Sequence, residues 1–529
     1  MEKRFVEEDT IAAVSTAYGI GAVGIIRISG SKSFDIAARL FKGKKGFEQI
    51  KTHSISHGFI VDPNNGECID EVLITKMEGP STYTREDIVE INCHAGLETL
   101  TRVLELAIEG GARPAEPGEF TKRAFLNDRI DLAQAEAVMD IIGSTGRFGA
   151  QAAMSQLEGS LSRWLSAARG ELLDIVASFD AVLDFPEHDL EEVAAEEARQ
   201  KLERVKEQLN ALESSFERGR IVRDGISCVI VGKPNVGKSS LLNLLSGKDR
   251  AIVTDMPGTT RDLVRENISI GGFSINVADS AGIRKTGDKV EKIGVDIAKG
   301  AAEKADLVIV VLDSACQPDE DDHQVISLAK GKPRIYMVNK TDIADRGGIE
   351  QAKAFISAVE GAEHGHQRRH GSGHESGRGR CESAVPQENG NGRGRSPAPL
   401  DNGRGRCESA VPQENGNERS GISAPFVIES SFVTGKGIAE LEEKITEMFS
   451  VGLIHGNGEA VLTNKRHYAQ VVKGITAIDE ALGAIDMGLP VDMALIGMKG
   501  AASALGEITG EDCISEVVDK IFESFCVGK

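Results

Sequence analysis

Residues Gly232-Lys233-Pro234-Asn235-Val236-Gly237-Lys238-Ser239 fit the pattern G-x-x-x-x-G-K-[ST]. The pattern leaves a chain few choices of fold. Before it, Ile226-Ser227-Cys228-Val229-Ile230-Val231 reads as a buried strand; after it, Ser240-Leu241-Leu242-Asn243-Leu244-Leu245 has helical spacing. Strand, loop and helix in that order aim backbone N–H groups and a helix N-terminus at one point, which attracts anions. Glycine lets the backbone turn tightly and approach phosphate oxygens. Lys238 is placed to reach β- and γ-phosphates, and the Ser239 hydroxyl to bind Mg²⁺.

The apolar runs Phe273–Asp279, Leu307–Asp313 and Arg334–Asn339 alternate with helical segments. They predict a mainly parallel sheet covered on both faces. Four more stretches follow the loop in fixed order. Asp255-Met256-Pro257-Gly258-Thr259-Thr260-Arg261-Asp262, preceded by Thr254, offers hydroxyls, with Thr260 as second Mg²⁺ ligand. Asp279-Ser280-Ala281-Gly282 ends a strand; Asp279 should hold a metal-bound water and the Gly282 N–H should sense the γ-phosphate. Asn339-Lys340-Thr341-Asp342 is the guanine reader. The Asp342 carboxylate can accept from the guanine ring N–H and amino group; adenine lacks that amino group and would leave the carboxylate unpaired. Ser431-Phe432-Val433-Thr434-Gly435 takes the last base-contact position. With Asn235, Val236, Gly237 and Ser240 these residues make a GTP site.

Ile283 stands where Ras-like GTPases place the Gln that orients water, and Ile cannot do so. Candidates for that task are Arg284, Asp288, Lys289 and Glu291, which also read as a plain surface charge cluster. No fixed arginine finger is visible, and Asn235 can instead coordinate a monovalent cation.

The rest of the chain reads as two further parts. Up to about residue 120 it is a small α/β unit, with strands at Gly24–Gly30, Glu71–Lys76 and Ile88–His94 and a helix Leu97–Glu109 closed by Gly110-Gly111. Arg27 and Glu90 interrupt strands and His94 follows one; alternate strand positions are ordinarily solvated, so composition names no ligand there. From Pro117 to about Arg218 the pattern is helical, and Leu202, Val205, Leu209, Leu212 and Phe216 form an apolar seam. Arg218-Gly219-Arg220 reads as a hinge into the nucleotide domain. A second helical stretch, about Asn464 to Phe525, is expected to pack on the first as a bundle.

Between about 361 and 425 the pattern breaks. Gly377–Asn391 recurs at Gly403–Asn417, in a stretch rich in Gly, Arg, Asn, Ser and Pro. It has too little apolar surface to offset ordering entropy and reads as a disordered, duplicated insertion. The formal charge of −21 excludes a broadly basic nucleic-acid binder, and 4% aromatics a large base-stacking surface. The eight scattered cysteines have no C-x-x-C pair and point to reduced thiols. No apolar run is long enough to span a bilayer, and no targeting segment is visible, which favours a bacterial cytoplasm.

Outside the nucleotide motifs, the chain closely resembles the MnmE or TrmE family of tRNA-modifying GTPases. The resemblance rests on Gly24–Gly30, Pro117-Gly118-Glu119-Phe120 through Arg129, Asp131-Leu132-Ala133-Gln134-Ala135-Glu136, Leu505–Gly510 and the terminal Phe525-Cys526-Val527-Gly528-Lys529, as well as the GTPase motifs. It implies a multidomain α/β plus all-α fold: an N-terminal α/β folate-binding and dimerisation domain (1–120), a helical domain (121–218 plus 456–529) and an inserted Ras-like P-loop GTPase domain (219–455). It implies 5,10-methylene- or 5-formyl-tetrahydrofolate on Arg27, Glu90, Arg129 and Lys529, K⁺ on Asn235, Thr254, Met256 and Thr259, and Mg²⁺ on Ser239 and Thr260. Glu291 becomes the favoured water-positioning residue, and Cys526 a candidate participant in the modification chemistry. The implied partners are a second copy of the chain, an FAD-dependent protein of MnmG/GidA type in a heterotetramer, and tRNA. The implied activity is addition of a carboxymethylaminomethyl-type group at C5 of the wobble uridine, with K⁺-stimulated GTP hydrolysis as a conformational switch. Phe432-Val433 departs from the family's small residue plus Lys or Arg, which puts the last guanine contact in question. Other readings are a GTP-dependent assembly switch without modification chemistry and a folate-dependent one-carbon transferase with a regulatory GTPase.

Overall fold

The computed structural model describes residues 9–17, 19, 21–184, 191–248, 265–278, 300–367, 425–450 and 460–528. The N-terminal sheet is made of β1 (Ile11–Val14), β2 (Val23–Ser29), β3 (Phe41–Gly43), β4 (Ser54–Val61), β5 (Cys68–Met77), β6 (Ile88–His94) and β7 (Arg113–Pro114). Their order is β3-β4-β5-β6-β2-β1-β7. The two-residue repeat of a strand sends Ile26 and Ile28 of β2 into the core and leaves Ile25 and Arg27 on the other face. Helix α1 (Ser33–Leu40) and helix α2 (Leu97–Glu109) cover the inner face. Leu100, Val103, Leu106 and Ala107 of α2 are buried, one stripe of a 3.6-residue helix. α2 keeps the bounds that Gly110-Gly111 predicted.

Among the described residues six helices follow: α3 (Glu119–Leu126), α4 (Leu132–Gly143), α5 (Arg147–Leu157), α6 (Ser160–Asp184), α7 (Glu191–Ser214) and α8 (Phe216–Asp224). α4 starts at a reciprocal cap, in which the Asp131 carboxylate accepts from the Gln134 N–H and the Gln134 side chain accepts from the Asp131 N–H. The expected seam is present: Leu202, Val205 and Leu209 are fully buried, with Leu212 and Phe216 nearly so. The expected hinge at Arg218-Gly219-Arg220 is not: these residues lie within α8. Gly219 is there for close approach rather than flexibility. A Cβ on it would stand 2.0 Å from the Leu462 carbonyl oxygen, so no larger residue fits. Arg220 is held by Glu217 and by Asp306 at 2.6 Å.

The chain divides by compactness into two units, Met1–Val229 with Leu241–Leu307 and Ile438–Lys529, and Ile230–Ser240 with Val308–Gly437. β8 (Ile226–Val231) runs from the first into the second, and α9 (Lys238–Lys248) starts in the second. In the first unit β10 (Phe273–Ala278) pairs parallel with β8 and antiparallel with β9 (Arg265–Ile270). Gly271 and Gly272 turn the β9–β10 hairpin, both at positive φ, as the tightest hairpin turns require. In the second unit β11 (Leu307–Asp313), β12 (Arg334–Asn339) and β13 (Phe426–Glu429) are parallel neighbours, with α10 (Glu320–Leu328) and α11 (Arg346–Gln367) between them. Val308, Val310 and Val311 have no exposure, as a strand covered on both faces requires. α11 runs beyond residue 361, where the disordered insertion was expected to begin; helical pairing of the backbone continues to Gln367. The repeats themselves lie outside the described residues.

The chain is back in the first unit from α12 (Ile438–Ser450), and the helices α13 (Lys465–Asp486), α14 (Val491–Thr509) and α15 (Ser515–Phe522) follow there. Val471, Ile478, Met498, Ala501 and Leu505 join Leu165, Leu172, Leu202 and Leu209 in one core, so the tail packs on the earlier helices as expected. Truncating one such leucine to alanine costs about 2–5 kcal/mol.

Candidate nucleotide site and a second polar cluster

In the second unit the phosphate loop is built from backbone. Asn235 has φ +63° and Gly237 φ +111°. Asparagine tolerates the left-handed region better than other side chains. A Cβ on Gly237 would stand 2.4 Å from Asn339 Nδ2, so only glycine fits. The Lys238 ammonium donates to the carbonyls of Gly232 and Lys233, at 2.7 Å each, which folds it over the loop. Val236 is buried, whereas Asn235, Ser239 and Ser240 are exposed along the loop and first turn of α9.

Asn339 joins the loop to the expected base-reading segments. Its Nδ2 donates to the Val236 carbonyl at 2.8 Å, and its Oδ1 accepts from the Phe432 N–H at 3.1 Å. The Thr341 N–H donates to the Ser430 carbonyl at 3.2 Å. Lys340 pairs with Asp313 at 2.6 Å, and Asp342 is exposed. The structure therefore brings together Asn235–Ser240, Asn339–Asp342 and Ser431–Val433. Thr254 to Thr260, Asp279 to Gly282, Ile283 and Glu291 lie outside the described residues.

Sequence reasoning missed Lys233. Its ammonium lies 2.8 Å from both Asp319 and Asp322. Burial would lower its pKa, but these carboxylates outweigh burial and hold it up to about 12. The signal was present, since Asp319-x-x-Asp322 is a reciprocal cap at the start of α10.

A second polar cluster lies on the N-terminal sheet. Antiparallel register sets Arg27 opposite Glu90, and the guanidinium donates to Glu90 Oε1 from Nε and NH2, both at 2.8 Å. Arg27 also donates to the Gly528 carbonyl at 3.4 Å. Its guanidinium sits 5.8 Å from the Tyr83 ring centre and 5.5 Å from that of Phe120; the Arg129 guanidinium is 4.8 Å from Tyr83. Arg27, Glu90 and Arg129 are thus gathered around Tyr83, rather than scattered on a solvated face. Tyr83, Phe120 and the Gly528 carbonyl were not foreseen there. Lys529 lies outside the described residues. His94 is exposed and apart from this group; its bond to Asp70 raises its pKa.

The C-terminus is strapped to this part of the molecule. The Gly118 N–H donates to the Cys526 carbonyl at 3.2 Å, and Val527 bridges to Pro117. Gly528 has φ +89°, and a Cβ there would stand 2.3 Å from the Val14 carbonyl oxygen. The Cys526 thiol is half-buried. Beneath the strap, Arg123 and Arg113 bind Asp9 and Glu119. Burial raises the Glu119 pKa, but bonds from Arg113, the Glu116 N–H and Arg123 outweigh it and bring the carboxyl below its usual value.

Comparisons with known proteins bear on the family of the chain. Residues 10–129 match the family described as GTP-binding protein TrmE N-terminus, and residues 132–526 the MnmE helical domain. The tRNA modification GTPase MnmE of Acetivibrio thermocellus is 45% identical over 99% of this chain and 100% of its own length. That of Alkaliphilus oremlandii is 39% identical over 99% of each chain. The solved G domain of the T. maritima FeoB iron transporter covers 42% of this chain and 97% of its own at 22% identity and TM-score 0.21. Aquifex aeolicus Era covers 48% and 66% at 20% identity and TM-score 0.24. These scores are too low to extend the fold description. Full-length relatives above the loop's own motif, matching both the N-terminal and the helical parts, establish that the chain belongs to the MnmE family of tRNA modification GTPases and is a GTP hydrolase.

Proposed function

We propose that the chain is a K⁺-stimulated GTPase that, with an FAD-dependent partner of MnmG/GidA type, adds a carboxymethylaminomethyl-type group at C5 of the wobble uridine of certain tRNAs. The observation that carries the reading is that one chain holds both a phosphate loop tied to a guanine-type motif and a separate arginine–aromatic cluster closed by its own C-terminus. GTP hydrolysis drives a conformational switch, and the modification draws its carbon from a folate.

The residues present fit these groups. Ser239, exposed at the first turn of α9, offers its hydroxyl to Mg²⁺ and Thr260 would supply the second. Asn235, exposed at φ +63°, offers a side-chain oxygen to K⁺, with Thr254, Met256 and Thr259. The cation supplies positive charge for phosphoryl transfer. Lys238 holds the β- and γ-phosphates, Asp279 a metal-bound water, the Gly282 N–H the γ-phosphate, and Glu291 the attacking water. Asp342 reads guanine.

At the second cluster, Tyr83 offers an aromatic face and Arg27 and Arg129 offer guanidinium planes, a donor set suited to a flat heteroaromatic ring with an anionic tail. Glu90 accepts ring N–H groups, Lys529 joins from the strap, and Cys526 is the candidate thiol. A homodimer through the N-terminal domain (1–120) is supported by Ile55, Phe59 and Leu73, all exposed on the β4–β5 face. The helical domain comprises 121–218 and 456–529 and the GTPase domain 219–455. Among the described residues no helix is long and apolar enough to cross a membrane, and the proposed location is the cytoplasm.

Nucleoside analysis of tRNA from cells lacking the protein tests the reading. The C5-modified wobble uridine should be missing; unchanged wobble uridines would sink it. GTP turnover equal in K⁺ and Na⁺ would remove the cation from the proposal.

A further inference from the structure

The N-terminal sheet ends in a lysine-rich corner. Its outermost strand, β3, pairs Phe41 with Ile60, Lys42 with Phe59 and Gly43 with Gly58. The chain then runs through Lys44-Lys45-Gly46 and a short 3-10 turn, Phe47–Gln49, to Lys51. Residues 42–51 hold four lysines and one carboxylate, Glu48, in a chain whose formal charge is −21. The His53 N–H donates to the Lys76 carbonyl at 2.7 Å, and Ser54 lies opposite Lys76 in the register of β4 and β5. A fifth lysine is thereby brought to the same corner.

Apolar anchors hold this segment while its lysines face water. Phe41, Phe47 and Ile50 are buried, whereas Lys42, Lys44, Lys45 and Lys51 are exposed. The Phe47 ring centre lies 5.9 Å from that of Phe34 in α1, and the Lys76 ammonium stands 4.8 Å from the Phe34 ring and 5.4 Å from the Phe47 ring. A Cβ on Gly46 would meet nothing within 4 Å, so the Lys44-Lys45 turn projects into open space from a fixed frame. Lysines elsewhere find acidic partners: Lys122 has Asp519 and Lys353 has Glu429. Among the described residues no carboxylate pairs with Lys42, Lys44, Lys45 or Lys51. Like charges held together without a counter-charge repel one another, and an anionic partner relieves that repulsion. Lysine on an edge strand also guards against sheet-to-sheet pairing, which accounts for Lys42. Lys44, Lys45 and Lys51 lie beyond the last paired residue of β3.

We propose that this corner is a docking surface for the phosphate backbone of RNA, and that the RNA is the tRNA on which the chain acts. Lysine is a point charge on a flexible stem, so these contacts position the RNA and do not read its sequence. An acidic chain repels phosphate over most of its surface, and the strand is steered to the place where the sign inverts. The inference rests on tRNA as the substrate in the function proposed above.

The test is tRNA binding by the full-length protein, followed by fluorescence anisotropy over a salt series. In the triple variant Lys44→Ala, Lys45→Ala, Lys51→Ala the Kd should rise about tenfold at low salt. The slope of log affinity against log salt should become shallower by about two, since each lost phosphate contact removes nearly one. The triple variant Lys44→Arg, Lys45→Arg, Lys51→Arg keeps the charge and should keep the wild-type slope. GTP turnover without tRNA should equal wild type in both. An alanine variant with wild-type Kd and slope overturns the proposal. Wild-type protein that binds no tRNA also overturns it, while the functional reading still stands or falls on the nucleoside analysis. An alanine variant that binds tRNA normally but no longer joins the FAD-dependent partner makes the corner a protein interface and overturns the RNA assignment. The control is Lys206→Ala, Lys473→Ala, Lys499→Ala, three lysines that already pair with Asp479, Glu507 and Asp180. It removes the same charge and should bind as wild type; an equal loss there would assign the effect to bulk charge and overturn the proposal.

Discussion

At the phosphate loop the polar contacts come from eight consecutive residues and from Asn339, Asp319 and Asp322, and the loop is shaped largely by its backbone groups. At the Arg27 cluster they come from side chains at positions 27, 83, 90 and 129 and from a carbonyl at 528. The first construction depends on where glycine permits the chain to go. The second depends on each side chain separately and on the C-terminus arriving to close it. A backbone site should fail as a unit when its path is blocked; a side-chain site should fail in parts.

The sharpest way to break this contrast is at the loop's one indispensable side chain. Lys238→Ala should lower kcat for GTP by about 10²–10³, the usual cost of removing a preorganised charge from a developing oxyanion. Folate affinity should not change; a joint loss would mean that the two sites are one. Gly237→Ala should weaken GDP binding by about ten- to a hundredfold in calorimetry, through strain at φ +111° and the clash with Asn339. Wild-type affinity there would show that the path is not the constraint.

Arg27→Ala should lower folate affinity by about tenfold and destabilise the N-terminal sheet by about 1–3 kcal/mol, because the half-buried Glu90 loses its partner. Arg27→Lys should not restore binding, since an ammonium cannot fork onto Glu90 and also face Tyr83 in a plane. GTP turnover equal to wild type in both variants is the expected control.

Acid should separate the regions in the same way. Glu119 titrates below its ordinary value of 4.5 when folded, so the unfolded chain binds its proton first. The stability it gives is complete above that value and is lost as pH falls through the lower, folded pKa. Protection factors of the amides at residues 11–14, with the intrinsic pH dependence of exchange removed, should fall as pH drops below about 4.5, while the amide-to-carbonyl links of Asn339 hold. Protection factors that rise as pH falls would reverse the sign and refute it. The smallest effect is expected from Lys233→Ala, about a twofold rise in GTP KM, because its exposed partner Asp319 contributes little and its buried partner Asp322 keeps the bond from the Asp319 N–H.

The same contrast governs what could be read from the sequence. Strands β11 and β12 and helix α2 appear with the bounds their apolar patterns give, and the loop motif names its own context. β1 was missed because Ile11-Ala12-Ala13-Val14 is short, with two alanines that carry little strand preference. β4 was missed because Gly58 and His57 interrupt its alternation. Arg27 and Glu90 looked like solvated strand positions because only pairing register joins residues 63 apart. Gly219 looked like a hinge because a glycine needed for a close approach carries the same letter as one needed for flexibility.

That approach of α8 to Leu462 has a consequence for how the molecule is made. The Leu462 N–H donates to the Ser215 hydroxyl across 247 positions of chain, and Val471, Met498 and Leu505 complete the core begun by Leu172 and Leu202. During synthesis the early helices emerge with half their apolar lining missing, and they must wait for the returning tail. Contacts that close so long a loop form late. The helical core therefore matures late, and its early apolar faces are open to sticking in the meantime.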